Sequence, residues 1–106
     1  MKRFALALAI SGLLATGAFA ADAAAGKALY ASKCKTCHGD VGQGNAGMAK
    51  MLKVDIKPLS DASVQSKSDA DLKKAITDGV GKMKPIAGVS GAEADNIVAH
   101  IRTLKK

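Results

Sequence analysis

The sequence predicts an all-α fold of three to four helices. No run alternates β-branched or aromatic residues with polar ones, so strand signals are almost absent. Three segments combine a helix-capping residue with apolar positions on one helical face. Two cysteines and a histidine also fall within five positions, in a chain of 106 residues that has no other cysteine.

The first twenty residues read as a leader rather than as part of the domain. Lys2 and Arg3 give a positive start, Phe4 to Leu14 is apolar, and Ala18-Phe19-Ala20 closes the stretch. That is the build of a secretory signal peptide, with cleavage expected before Ala21. The alternative is an uncleaved anchor, because the uncharged stretch from Phe4 to Ala21 has 18 residues, the lower edge of a bilayer span. The small-residue exit favours cleavage, export to the periplasm and one domain over residues 21–106. No later segment resembles a membrane span.

The first helix starts near Asp22, a good N-cap, and runs through Gly26, Leu29 and Tyr30 into the cysteines. Met48, Met51 and Leu52 form a short apolar patch fit for one or two helical turns, a spacing typical of core packing. Pro58 and residues 60–68, rich in Ser and Asp, read as loop. A second helix starts at Ser68, carries Leu72, Ala75 and Ile76 on one face, and stops at Gly79. In the last helix Ser90 and Glu93 make a capping-box pair. Ala94, Ile97, Val98, Ile101 and Leu104 follow as one stripe, and Lys105 and Lys106 sit where a helix terminus favours positive charge.

Removal of Lys2 and Arg3 with the leader lowers the formal charge from +7 to +5. Tyr30 is then the only aromatic residue, which makes a thin core for so small a domain. A disulfide between Cys34 and Cys37 would close almost no loop and add little. A bound apolar cofactor would supply the missing core. Export and the lack of interleaved aromatics argue against a nucleic-acid partner.

Cys34, Cys37 and His38 stand at i, i+3 and i+4, so on a helix end they project from nearly one face. Two thiols there can add to the two vinyl groups along one edge of a haem, and the imidazole reaches the iron. C-x-x-C-H is the signature of that attachment. Three other readings exist. Zinc would need four ligands, which Cys34, Cys37, His38 and His100 could supply only if neighbours 37 and 38 served one tetrahedron. A redox dithiol wants a βαβ setting that is missing here. A structural disulfide leaves the histidine incidental.

The whole stretch from Asp22 to the C-terminus resembles a small bacterial class I cytochrome c. The resemblance rests on Gly26-x-x-x-Tyr30, Cys34-Lys-Thr-Cys37-His38-Gly39, Ile76-Thr-Asp-Gly79-Val-Gly81-Lys-Met83 and Ile97-Val-Ala-His-Ile-Arg-Thr-Leu104. It implies the small cytochrome c fold, wrapped around one covalently bound haem c. It implies a non-enzymatic carrier of single electrons between larger redox proteins. Cys34 and Cys37 would hold the haem, and His38 and Met83 would be the axial ligands of its iron.

The residues themselves favour Met83 for the second ligand. It sits in a loop with Gly79 and Gly81 before it and Pro85 after it, 45 positions beyond His38. Met48 and Met51 are within reach but have a helical, core-type spacing. If Met83 were loose or displaced, the open position would instead make a haem-based ligand binder or a weak peroxidase.

Two departures from the family pattern stand out. Lys84 intervenes between Met83 and Pro85, and His100 takes a position usually held by an aromatic residue. The family's proximal histidine usually donates its second nitrogen's proton to a backbone carbonyl, for which Pro58 is the candidate. Leu29, Leu52, Leu59, Leu72, Ile76, Ile86, Val89, Ile97 and Ile101 are the expected cofactor walls. Lys33, Lys35, Lys82 and Lys84 flank the attachment and ligand segments, while Asp69, Asp71, Asp78, Glu93 and Asp95 fall elsewhere. This predicts a basic rim that meets acidic partners.

Overall fold

The structure, a computed structural model, describes residues 21–106; the leader expected at residues 1–20 lies outside the described residues. Local chemistry starts each helix. Asp22 accepts hydrogen bonds from the backbone N–H groups of Ala24 and Ala25 and opens α1 (Ala23–Lys33). A break at Cys34 separates it from a single turn, α2 (Lys35–His38), which ends at Gly39 with φ of 86°. Asn45 caps α3 (Ala46–Leu52). Asp61 caps the one-turn α4 (Ala62–Gln65).

Ser68 caps α5 (Asp69–Asp78), which stops at Gly79. The Ser90–Glu93 capping box is complete and opens α6 (Gly91–Thr103). The first helix thus stops one residue short of the cysteine pair. Residues 60–68, expected as loop, contain α4. Its apolar content, Ala62 and Val64, is too small to give a periodic signal, and the turn is held from outside.

That outside hold is Arg102. Its guanidinium donates to the Gln65 carbonyl, the Lys67 carbonyl and the Asp69 carboxylate at 2.9, 2.6 and 2.9 Å. The Gln65 amide in turn donates to the carbonyls of Leu59 and Ile101 at 2.8 and 3.0 Å. The polar stretch is therefore fastened to α6 through backbone carbonyls, a device that leaves no hydrophobic pattern.

α1 crosses α6, and α5 packs beside α6. At the crossing Gly26 lies directly on the backbone of Asn96 and Ile97. The Asn96 side chain accepts from Asp22 N at 2.8 Å beside it. The buried core is Tyr30, Cys34, Leu59, Leu72, Ile76, Ala94, Ile97, Val98 and Ile101. Leu29, Met83, Ile86 and Val89 pack against it. Among the described residues no helix is long and apolar enough to cross a membrane. Met51, expected in the core, is 71% exposed. α3 is only two turns long, and it buries Met48 and Leu52 in part while leaving Met51 outside.

Candidate functional site

The Cys-x-x-Cys-His segment is built as a tight turn at the end of α1. The N–H groups of Cys37 and His38 both point back to the Cys34 carbonyl, at 3.3 and 3.0 Å. The next residues close over it. Gly44 N donates to the His38 carbonyl at 2.7 Å, and Asn45 N donates to the Cys37 carbonyl at 2.9 Å. The Asn45 side-chain amide donates to the Thr36 carbonyl at 3.0 Å. Tyr30, almost fully buried, donates its hydroxyl to the Gly39 carbonyl at 2.6 Å. The motif is therefore fixed by its carbonyls, which leaves its side chains for other work.

Both cysteines are free thiols. Burial, with the Cys37 thiol a second cause, pushes the Cys34 thiol up to about 11. Burial lowers the pKa of His38, so its imidazole is held neutral, the form that offers a lone pair to a metal. His38 Nδ1 is buried and has no hydrogen-bond partner. The Pro58 carbonyl, expected to take this proton, instead accepts from Asp61 N at 3.0 Å in the turn that starts α4. A neutral buried imidazole beside two unlinked thiols fits a porphyrin held by thioethers. A disulfide does not form here. Among the described residues no three His, Cys, Asp or Glu side chains gather as a metal ion would require.

Met83 is presented by a small closed loop. Val80 N donates to the Met83 carbonyl at 2.8 Å, and Met83 N donates to the Val80 carbonyl at 2.9 Å. Gly81, with φ of 57°, makes the turn between them. Gly79 has φ of 84°, and a Cβ on it would meet the Met83 carbonyl at 2.7 Å and the Pro85 ring at 2.9 Å. Ile86 N bonds to the Ile76 carbonyl at 2.9 Å, so the segment leaving the loop stays on α5. Lys84 thus adds a residue without releasing the loop. Met83 is half-buried against the cluster that contains Cys34. The structure brings Cys34 and Met83 to one apolar body. Met51 stays outside it, and His100 packs on Tyr30 with ring centroids 5.1 Å apart.

Residues 21–101 match the family described as cytochrome c oxidase, cbb3-type, subunit III. The chain belongs to this family of c-type cytochromes. It is similar to cytochrome c-554(547) of Halothiobacillus neapolitanus, with 39% identity over 94 residues, 81% of this chain and 100% of that protein. It is also similar to cytochrome c6 of Picosynechococcus sp., with 37% identity over 109 residues, 94% of this chain and 91% of that one. Among solved structures, the c-type cytochrome KustC0563 superposes with a TM-score of 0.66 at 30% identity. That match covers 76% of this chain and 98% of that one. This cytochrome is of the small class I kind, all-α, and its cofactor is covalently bound haem c.

The four rim lysines of this cytochrome do not have equal freedom. Lys35 pairs with Asp40 at 3.2 Å. Lys33 reaches the Ala87 carbonyl at 3.3 Å, which joins the end of α1 to the segment beyond Met83. Lys82 and Lys84 are exposed on the Met83 loop beside Val80, itself 61% exposed. Of the acidic residues, Asp69 is engaged by Arg102, and Asp95 pairs with Lys73 at 3.2 Å. Sequence reasoning missed the Lys33, Gln65 and Arg102 links, because each acts on a backbone carbonyl far along the chain.

Proposed function

We propose that this cytochrome is a periplasmic carrier of single electrons, with haem attached to Cys34 and Cys37 and its iron bound by His38 and Met83. The observation that carries the proposal is the placement of Met83. A loop closed by two mutual hydrogen bonds with Val80 seats it on the apolar cluster that includes Cys34. Haem c so bound supplies a one-electron couple, and a methionine opposite a histidine raises its potential.

The chain's part is to hold still. His38 is anchored through its own carbonyl, and its ring is kept neutral by burial. Met83 is anchored through its N–H and carbonyl, so the thioether can stay in place in both oxidation states. Leu72, Ile76, Ile97 and Ile101 exclude water, and a dry pocket disfavours the extra charge of the oxidised form. The protein makes and breaks no bonds of a substrate; it tunes and docks. The boundary at residue 21, where the family match begins, agrees with a cleaved leader and an exported domain.

Docking would use Lys82 and Lys84, which are exposed next to Val80 on the loop that holds Met83. They suit a redox partner with an acidic surface.

The test is a visible spectrum of the purified holoprotein. A methionine–sulfur charge-transfer band in the oxidised form is expected, with little carbon monoxide binding by the reduced form. Strong carbon monoxide binding without that band would replace the carrier by a ligand binder or weak peroxidase.

A further inference from the structure

His100 is a buried imidazole that the electron-transfer reading does not use. It is 7% exposed and lies where α1 crosses α6. Its ring tilts by 58° against Tyr30, at a centroid separation of 5.1 Å. Tyr30 in turn donates to the carbonyl of Gly39, the residue after His38, at 2.6 Å. Two contacts therefore lead from His100 to the segment that bears the haem.

His100 also has a route to water. It lines an open groove of about 380 Å³, shared with Ala23, Ala24, Lys27, Asp40, Val41 and Leu104. The charged groups that face it come from two elements. Lys27 comes from α1, and Asp40 from the loop after α2, where it is paired with Lys35. From α6 itself Thr103 also lines the groove, and its uncharged hydroxyl donates to the His100 carbonyl at 2.6 Å. Arg102 is turned away to Asp69, Gln65 and Lys67. Among the described residues no carboxylate is bonded to the ring.

We propose that His100 is a proton-binding site coupled to the haem's electron. The inference rests on the carrier reading above, and it adds a second particle to that reaction. When a redox partner delivers one electron, the haem loses one unit of positive charge. A cation nearby then costs less, so His100 takes up a fraction of a proton from water in the groove. Oxidation returns that proton to the groove as the electron leaves. Tyr30 touches the His100 ring and, through its hydroxyl, the Gly39 carbonyl, so it joins the imidazole to the attachment segment. Burial, with Lys27 adding to it, lowers the pKa of His100 from its ordinary 6.5, so the ring is neutral at neutral pH.

The test uses the intact holoprotein. NMR follows the His100 imidazole through a pH titration in the ferrous and in the ferric state. The pKa is expected to be higher in the ferrous state. In parallel, the midpoint potential is measured between about pH 5 and pH 8 for the wild type, His100→Phe and His100→Tyr. Acidification should raise the wild-type potential more than that of either substituted protein. The excess should be at least about a twofold change in the reduction equilibrium constant, about 18 mV for one electron. Both substitutions place an aromatic ring on Tyr30, so either can serve if the other folds poorly. A His100 pKa that is equal in the two states, or lower in the ferrous one, overturns the proposal. So does a wild-type profile that overlays His100→Phe. Neither result touches the carrier reading, which stands or falls on the sulfur–iron band.

Discussion

Gly26 of α1 and Asn96 of α6 meet backbone to backbone, so closely that a Cβ on Gly26 would overlap the Asn96 carbonyl oxygen. The crossing of the terminal helices has no room for any other residue. It also sets the position of Tyr30, one turn further along α1, and through Tyr30 that of Gly39 and the attachment motif. Gly26→Ala should cost about 1–3 kcal/mol by overpacking, or more if the helices separate. Thermal unfolding of the holoprotein, with the yield of haem-loaded material, measures it. An unchanged melting temperature would show that the helices are not in backbone contact.

Tyr30 offers a second handle. Burial is the main cause that pushes its hydroxyl up to about 12. In the unfolded chain the hydroxyl ionises near 10. The folded state therefore keeps the proton, and the stability this provides is complete below pH 10. It drains away as pH rises from 10 toward about 12. A Tyr30→Phe protein should lack this alkaline loss. At neutral pH it should be weaker by about 1–3 kcal/mol, since the Gly39 carbonyl loses its donor. Denaturant unfolding at a series of pH values compares the two proteins.

Much of this arrangement is legible in the sequence, and what is legible is local. Asp22, Ser68 and the Ser90–Glu93 pair announce helix starts because a cap acts within three residues. Gly79 announces an end for the same reason. The stripe Ala94, Ile97, Val98 and Ile101 is buried as its spacing requires. What the sequence hides is long-range. α4 exists because its own Gln65 is bonded to Ile101 and Arg102, 36 and 37 positions further along the chain, and no periodicity encodes that. Met51 has core spacing but lies on a helix too short to cover it. Pro58 bonds forward to Asp61 because a local turn competes for its carbonyl.

Met83 carries the proposed second axial bond, and its loop depends on Gly79. Met83→Ala should abolish the sulfur–iron band, lower the potential and open the reduced iron to carbon monoxide. Gly79→Ala should do the same more weakly. It forces a side chain onto a left-handed backbone and against the Met83 carbonyl and the Pro85 ring. Absorption spectra and carbon monoxide titrations separate a lost ligand from a displaced one. A Gly79→Ala protein with an unaltered band would show that the loop has slack.

The two halves of the basic rim should behave differently. Lys82→Glu and Lys84→Glu should slow association with the native redox partner several-fold at low salt, and the curves should converge as salt rises. Lys35→Gln should change the rate less, because Asp40 already cancels part of its field. Lys33→Ala should act on the protein itself, by releasing the Ala87 carbonyl and loosening the segment beyond Met83. Stopped-flow rates against ionic strength test the first two, and the sulfur–iron band tests the third.

Because the haem completes a core with one aromatic residue, the haem-free chain should be largely unfolded by circular dichroism, whereas native helix content in that chain would contradict this. Ligation, potential and docking all presuppose the attachment site. Peptide mass mapping of protein from a host that matures c-type cytochromes tests it most directly. The fragment containing Cys34 and Cys37 should carry the full mass of one haem, with no free thiol left on either residue. A fragment at its bare peptide mass, or haem released intact by acid and organic solvent, would contradict it.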